Sequence, residues 1–348
     1  MMARKIYHWC CSYLYGLLVF SLLSFISIDT NAQIDTTYIK SFKGKLTARV
    51  YSLNEAATLV MDPLAEGPDL SYRPNSKQHF GVAVYYKWFG LGLAVQSPFA
   101  NTNEDIYGKS KSIDLRLNVY GRLLNAELAY VNYRGFYLEN TPKIIDSYLP
   151  GNQYYIRDDL TIESVSGLVY FVTNHKKHSF KAAYIQNEYQ LKSSGSLIIA
   201  PAFQLNRLKA DESLIPQDYI AKYDVFEEDK LVRGKFNVVG VFVGYSYTLV
   251  FLKRFYVNGA MLPGAFMQYY NYHTEENHYQ KNNAYFLWTI RLAAGYNGKH
   301  WFAGMGGVSG FNTALVPIKT PAFALGIEQF RIWIGTRFAF GHGTKAKK

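Results

Sequence analysis

The sequence predicts an all-β protein, a transmembrane antiparallel up-and-down β-barrel of about twelve strands that follows an N-terminal signal peptide. Three observations predict this fold class. The 348 residues are 49% hydrophobic and only 18% charged, so the chain can form a folded core. Apolar and polar residues alternate along most of the chain with a period of two. No stretch after residue 32 has the eighteen or so uncharged apolar residues that a membrane-spanning helix requires, which excludes a helical membrane protein.

Residues 1–32 have the pattern of a secretory signal peptide. Arg4 and Lys5 supply the positive start, an apolar centre follows, and a small-residue cleavage site ends at Ala32. The alternative is an uncleaved anchor helix, but the apolar stretch is short and interrupted by glycine and serine. Residues 33–348 are therefore expected to form one barrel domain that is exported to the outer membrane of a Gram-negative cell.

The formal net charge of +11 allows a nucleic-acid or an anionic-lipid partner. The basic residues are scattered singly along strand-like segments, and no basic helix or zinc-finger spacing appears, so no nucleic-acid partner is expected. Both cysteines, Cys10 and Cys11, lie in the predicted leader. The mature chain is therefore expected to have no disulfide and no thiolate metal site.

Residues 111–131 show the clearest alternation. If Gly121-Arg122 is a two-residue turn, the apolar residues of both strands share one face and the polar residues share the other. In that register Arg116 and Glu127 are direct cross-strand neighbours on the polar face. A register wrong by one residue would scramble the two faces, so their agreement supports a hairpin.

Two further segments separate the faces in the same way, with Phe89-Gly90 and Asn297-Gly298 as their turns. In a soluble β-sandwich the charged face would look outward to water. In a transmembrane barrel it would line the lumen while the apolar face meets lipid. Alternation alone does not choose between these two folds.

The lengths of the connections favour the barrel. Short connections near residues 89, 121, 174, 252 and 298 alternate with long ones, as the short periplasmic turns and long external loops of outer-membrane barrels do. Aromatic residues near the strand ends match interfacial girdles. Residues 179–203 are taken as one long strand with a bulge at 193–195. The twelve predicted strands are 43–52, 79–88, 91–98, 111–120, 123–134, 159–172, 179–203, 235–251, 254–271, 284–296, 299–310 and 323–340.

The chain also carries a series of short motifs in a specific order: Tyr72–Asn75, Tyr86–Leu91, Asp114–Gly121, Arg134–Leu138, Ala182–Glu188, Ser193–Ser196 and Gly295–Lys299. In their order and spacing, over most of the mature chain, these motifs resemble an uncharacterised family of Bacteroidetes outer-membrane barrels, the domain of unknown function DUF4421. The resemblance implies the barrel fold. It implies no activity and no site residues, because none is established for that family.

A lipid-modifying barrel enzyme is the alternative from another functional class. Such an enzyme needs a nucleophile and a base held together. Gly307-Val308-Ser309-Gly310 is one residue short of the G-x-S-x-G nucleophile elbow, and the segment from His273 to His278 lacks a helical frame for a metal site. No catalytic, cofactor-binding or metal-ligating residue is therefore predicted. A third reading is a soluble periplasmic β-protein.

The predicted lumen gives the best indication of function. The alternation places eight charged side chains on the inner face: Arg49, Lys87, Asp114, Arg116, Glu127, Arg291, Arg331 and Arg337. Because cations outnumber anions there, the pattern predicts a narrow pore that favours small anionic solutes. The alternative is that these side chains pair and fill the interior of a plugged structural or surface barrel, since twelve strands lie between filled and open barrels. The other expected partners are outer-membrane lipid and, during biogenesis, the barrel-assembly machinery.

Overall fold

The computed structural model describes residues 34–42, 44–62, 67–75, 78–97, 103–226, 229–309 and 322–339. The predicted signal peptide and the tail after Ala339 lie outside these residues. The described strands are β1 (Ile39–Ser41), β2 (Lys45–Asp62), β3 (Leu70–Arg73), β4 (Gln78–Tyr86), β5 (Phe89–Gln96), β6 (Lys111–Tyr120), β7 (Leu124–Leu138), β8 (Ile156–Val172), β9 (Glu188–Gln190), β10 (Ser194–Lys209), β11 (Arg233–Phe251), β12 (Phe255–His273), β13 (His278–Asn297), β14 (Trp301–Ser309) and β15 (Ala322–Ala339). The four short helices are α1 (Glu104–Tyr107), α2 (Thr141–Ile144), α3 (Phe180–Tyr184) and α4 (Gln217–Lys222).

Twelve of these strands form a closed antiparallel barrel, as the sequence predicts. The strand order around the ring is β2, β4, β5, β6, β7, β8, β10, β11, β12, β13, β14 and β15. Strand β15 pairs with β2 over its whole length, from Ala339 opposite Lys45 to Ala322 opposite Asp62, and so closes the ring. Beyond the shorter strands β4 to β6, β3 bridges β2 and β7. Because β15 pairs with β2, the ring of described strands has no edge strand.

Apolar side chains cover the outer face of the barrel. On β11, Val239, Val241 and Val243 are exposed on the outer face, while Val238 and Phe242 are buried inside. Charged residues on other strands, among them Asp114, Arg291 and Arg337, are buried in the interior. A protein in water would expose the charges and bury the valines. This distribution is that of a barrel whose outer face contacts hydrocarbon.

The chain crosses the barrel alternately, so consecutive connections lie at opposite ends. Tight connections at residues 87–88, 121–123, 252–254 and 298–300 lie at one end, together with the paired residues Lys45 and Ala339. We call this the turn end and the opposite one the loop end. In outer-membrane barrels the short turns face the periplasm.

The faces of the hairpin at residues 111–138 are as predicted, but its register is shifted by two residues. Val119 lies opposite Ala126, Arg116 opposite Ala129, and Glu127 opposite Asn118. The predicted direct pairing of Arg116 with Glu127 is therefore wrong. Alternation has a period of two, so any even shift preserves the faces, and only the turn fixes the register.

The other two hairpins differ from the prediction by four residues for the same reason. Tyr86 lies opposite Phe89 across a turn of Lys87 and Trp88, and Asn297 lies opposite Phe302. The Lys87 backbone is left-handed, with φ 53°. A first turn residue with positive φ matches the twist of a hairpin, so this turn forms at Lys87-Trp88, two residues before the Phe89-Gly90 turn that the glycine suggests.

Two further segments correct the sequence prediction. Residues 179–203 are not one strand: they contain α3 and β9, and the barrel strand β10 begins only at Ser194. The connection predicted to be short near residue 174 is therefore the segment 173–193. Conversely, the predicted long loop 271–284 is the tight connection 274–277, because β12 and β13 continue to His273 and His278.

Candidate functional site

The candidate site begins with the segment that enters the barrel from its turn end. We call residues 179–190, which contain α3 and β9, the plug. The Ser179 hydroxyl oxygen accepts a hydrogen bond from the Ala182 backbone N–H at 3.1 Å, which caps the helix. The helix is buried in the barrel interior, with the Phe180 ring 4.8 Å from the ring of Tyr170 on β8. Strand β9 then pairs with β1, so the plug also holds the N-terminal segment.

The plug contacts opposite walls of the barrel. Phe180 packs against Tyr170 of β8. Gln186 is bound by β15: Trp333 Nε1 donates to its Oε1 at 2.6 Å, and Arg337 Nε donates to its backbone carbonyl at 2.9 Å. In the ring of twelve strands β8 and β15 are six positions apart, so they are diametrically opposite. The plug therefore spans the cross-section of the barrel.

Contacts to the remaining walls fix the helix of the plug. On β2, Arg49 NH1 donates to the Tyr184 carbonyl at 2.8 Å. On β12, the Tyr256 hydroxyl donates to the Ala183 carbonyl at 2.7 Å, and Asn258 Oδ1 accepts from the Tyr184 hydroxyl at 2.6 Å. These bonds satisfy carbonyls at the end of a helix too short to satisfy its own.

Charge attaches the far end of the plug to the turn end of the barrel. The Glu188 carboxylate forms an ion pair of 2.7 Å with Arg122, in the β6–β7 turn, and accepts a hydrogen bond from the Ser179 hydroxyl. Its backbone carbonyl accepts from Asn297 Nδ2 at 2.9 Å. Glu188 is buried, and Arg122 compensates its charge together with Lys181, whose Nζ lies 4.0 Å from the carboxylate.

His178 precedes the plug and is buried between β10 and β11. Burial lowers the pKa of His178 to about 4, so the imidazole is neutral at physiological pH. In this form Nδ1–H donates to the Ser194 carbonyl at 3.0 Å, and Nε2, 3.2 Å from the Ser246 Oγ, accepts from that hydroxyl. The neutral histidine thus anchors the start of the plug without adding a charge to the lumen.

An apolar cluster lies at the loop end. Leu214, Ile215 and Tyr219, from the connection between β10 and β11, pack with buried residues of the barrel wall such as Tyr133 and Phe236. We call this cluster the loop-end cap. Its backbone is tied to the wall as well. Arg157 NH2 on β8 donates to the Glu212 carbonyl at 2.9 Å, and the Tyr72 hydroxyl donates to the Leu214 carbonyl.

A cavity of about 110 Å³ lies in the lumen beside the plug, with Tyr184 and Ile185 of the plug in its wall. We call it the central cavity. Its other lining side chains include five of the charged residues predicted to face the lumen: Arg49, Arg116, Glu127, Arg291 and Arg331. These five residues come from five different strands, β2, β6, β7, β13 and β15, and the fold brings them together around one cavity.

Two arginines of the central cavity have carboxylate partners. Arg291 donates to both carboxylate oxygens of Glu127, at 3.0 and 3.1 Å. Arg116 donates through Nε and NH2 to Asp114 Oδ2, at 3.0 and 2.6 Å. Both contacts are charge-assisted, and the pair on Glu127 is bidentate.

The other predicted residues occupy three different environments. Arg49 and Arg331 face the ring of Tyr51, each with its guanidinium carbon 5.7 Å from the ring centroid. Arg337, on β15, donates to the Gln186 carbonyl of the plug, and its guanidinium carbon lies 4.5 Å from the centroid of the Phe302 ring. Lys87 lies in the β4–β5 turn and is exposed, because the shifted register moves it out of the strand.

Sequence reasoning missed the plug, and it missed the aromatic shell beside the cavity, which consists of Tyr51, Tyr85 and Trp333. Five helical residues are too few to show a helical period, and β9 continues the alternation of the neighbouring strand. It also missed a buried contact of 2.7 Å between His79 Nε2 and Ser112 Oγ. Among the described residues His79 Nδ1 has no hydrogen-bond partner, so this pair lacks the third group that orients a catalytic histidine.

Neither a metal cluster nor a helical membrane span is found in the part of the chain that the structure describes. No group of three or more histidine, cysteine, aspartate or glutamate residues there could hold a metal ion. The rings of His273 and His278 stack at 4.3 Å beside the β12–β13 connection, without a third ligand. Of the described helices, none is long and apolar enough to cross a membrane.

The chain matches one family model and is similar to several solved structures. A family model described as a domain of unknown function (DUF4421) matches residues 33–338. No curated protein matches the sequence. Among solved structures, the chain is similar to the outer-membrane protease OmpT from Escherichia coli, with 9% identity over 85% of this chain and 96% of that chain, and a TM-score of 0.37. It is also similar to the translocator domain of the autotransporter NalP from Neisseria meningitidis, with 10% identity over 94% and 97% of the two chains, and a TM-score of 0.33. At these identities the similarity concerns the fold alone.

Proposed function

This chain belongs to the DUF4421 family, and on that premise we propose that it is a Gram-negative outer-membrane barrel, closed at rest, that provides a narrow anion-favouring path when its plug moves. Export by residues 1–32, contact with outer-membrane lipid and insertion by the barrel-assembly machinery are parts of the same proposal. A purely structural or surface barrel is the competing function. The plug carries the proposal, because it joins opposite walls of the lumen and leaves a cavity lined by arginines beside it.

The connections of the plug favour a movable obstruction over a permanent core. Hydrogen bonds and ion pairs, such as those of Gln186 and Glu188, hold it to the wall beside the apolar contacts of Phe180 and Ile185, whereas the loop-end cap packs through an apolar cluster. Polar contacts exchange readily with water when a segment moves. A barrel that had to remain filled would be stabilised more by apolar side chains in the same volume.

The charge of the cavity favours anions. Its described lining residues include four arginines and one glutamate, and Asp114 pairs with one of the arginines. Rings of arginine and lysine in a pore select anions.

Conductance of single barrels in a planar lipid bilayer tests the proposed function. The natural protein is expected to carry no steady current. One variant replaces the plug by a glycine-serine linker of equal length, and a second also replaces residues 211–230 of the loop-end cap. We expect current in at least the second variant, with a reversal potential in a salt gradient that shows preference for the anion.

The control replaces residues 146–153, in the connection between β7 and β8, by the same kind of linker, and it is expected to stay closed. A steady current through the natural protein would contradict closure by the plug. Absence of current from both plug variants, or a preference for cations, would favour the structural barrel.

A further inference from the structure

We infer that the central cavity holds a small oxyanion, of the class of inorganic phosphate, sulfate or a short carboxylate, bound chiefly by Arg49 and Arg331. The inference deepens the proposed anion path, on which it rests for the route into the lumen. It names what the cavity binds and which side chains bind it.

The balance of charge is the first argument. Glu127 neutralises Arg291, and Asp114 neutralises Arg116. Among the described residues no carboxylate lies at ion-pair distance from Arg49 or Arg331. Arg49 is only 7% exposed, and a buried charge without a counter-ion is costly. An anion between these two side chains would supply the missing charge.

Unused hydrogen-bond donors are the second argument. The Nε–H groups of Arg49 and Arg331 are buried and have no hydrogen-bond partner within the described residues. Arg49 NH1 already donates to the Tyr184 carbonyl of the plug, and Arg331 NH2 already donates to Gln329 Oε1 at 2.9 Å. The guanidinium group presents its donors in a planar fork that fits two oxygens of a phosphate or carboxylate.

The aromatic shell orients both guanidinium groups. The Arg49 guanidinium lies 5.0 Å from the Tyr85 ring and 5.2 Å from the Trp333 ring, and both arginines share Tyr51. Stacking on the faces of rings leaves the edges of the forks for a ligand. Glycine makes room for this shell on β14: a Cβ at Gly304 would lie 2.7 Å from the Trp333 ring.

The size of the cavity is compatible with this ligand class. Its volume of about 110 Å³ is several times the roughly 10–15 Å³ that a cavity needs to hold one water molecule. The cavity therefore has room for a small tetrahedral or planar oxyanion. The side chain of Tyr184 places the plug in contact with the same space, so a bound anion also lies against the plug.

Calorimetric titration of the intact protein in detergent micelles tests the site. Sodium phosphate, sulfate, acetate and chloride are titrated separately at constant ionic strength. We expect saturable binding of at least one oxyanion, and binding of chloride at least tenfold weaker. Arg331→Gln is expected to weaken the binding of that oxyanion about tenfold or more, because it removes a charged hydrogen-bonding group.

Arg331→Lys, which keeps the charge and loses the fork, is expected to fall between the natural protein and Arg331→Gln. The matched control is Arg207→Gln, on the outer face of β10, where the side chain is 65% exposed and the change should alter affinity less than twofold. The mobility of unheated and heated samples on a denaturing gel establishes that each variant is a folded barrel.

The outcomes separate the site from the path. Lack of oxyanion binding by the natural protein, equal binding of chloride, or unchanged affinity in Arg331→Gln would overturn the site. If the plug variants conduct anions while the intact barrel binds none, the site alone is rejected. If the intact barrel binds an oxyanion through Arg331 while no plug variant conducts, the anion path is rejected and the binding site stands.

Discussion

Replacing Glu127 by leucine is expected to lower the free energy of unfolding of the barrel by about 3–5 kcal/mol. The carboxylate accepts two hydrogen bonds from Arg291, at 3.0 and 3.1 Å, and one from the Tyr120 hydroxyl at 2.7 Å. Its removal leaves the buried Arg291 guanidinium without its counter-ion. Urea unfolding of the protein in detergent micelles, followed by tryptophan fluorescence, measures this change.

Two controls identify the buried charge as the cause. In the double variant Glu127→Leu/Arg291→Met most of the lost stability should return, because no unpaired charge remains in the interior. Glu163→Leu removes the partner of the exposed Arg207, whose ion pair is 4.0 Å long, and should cost less than about 1 kcal/mol. Equal losses from Glu127→Leu and Glu163→Leu would contradict the buried network.

Replacing Val241 by arginine is expected to lower the free energy of unfolding by about 2–4 kcal/mol when the barrel is embedded in lipid. Val241 lies near the middle of β11 and is 40% exposed on the outer face. If hydrocarbon surrounds this position, the guanidinium must leave water on insertion of the strand. If water surrounds it, a surface substitution changes stability by about 0.5 kcal/mol or less.

Leu149→Arg provides the comparison for the outer face. Leu149 is 65% exposed in the connection between β7 and β8, outside the barrel strands, so its replacement is expected to be nearly neutral. Both variants are unfolded by urea from the same lipid vesicles. A loss at Val241 no larger than at Leu149 would contradict a lipid-facing outer surface.

The alternation of the sequence was sufficient to predict the faces of the strands and insufficient to predict their register. Arg116 and Glu127 share the inner face as predicted, yet Arg116 lies opposite Ala129. Burial constrains a strand only to within an even number of residues, and the local turn decides the rest. The same shift explains Lys87, which lies on a strand in one register and in a turn in the other.

The arginines of the site were recognisable from the sequence, but their partners were not. Arg291 and Glu127 are 164 residues apart and meet only because the ring brings β13 and β7 to face each other across the lumen. The plug was missed because α3 has five residues and β9 three, too short for either period to show. Elements this short are stabilised by their tertiary contacts rather than by local preference.

Thiol labelling of a cysteine in the plug tests most directly whether this segment fills the barrel. Ala183 is fully buried and small enough for Ala183→Cys to be tolerated, and Lys176→Cys, at an exposed position before the plug, is the control. The protein, with Cys10 and Cys11 replaced by serine, is embedded in lipid vesicles that leave the turn end accessible. A polar maleimide should then label position 176 within minutes. Position 183 should stay unlabelled until the barrel is unfolded. Equal labelling of the two positions in the folded protein would contradict the closed lumen.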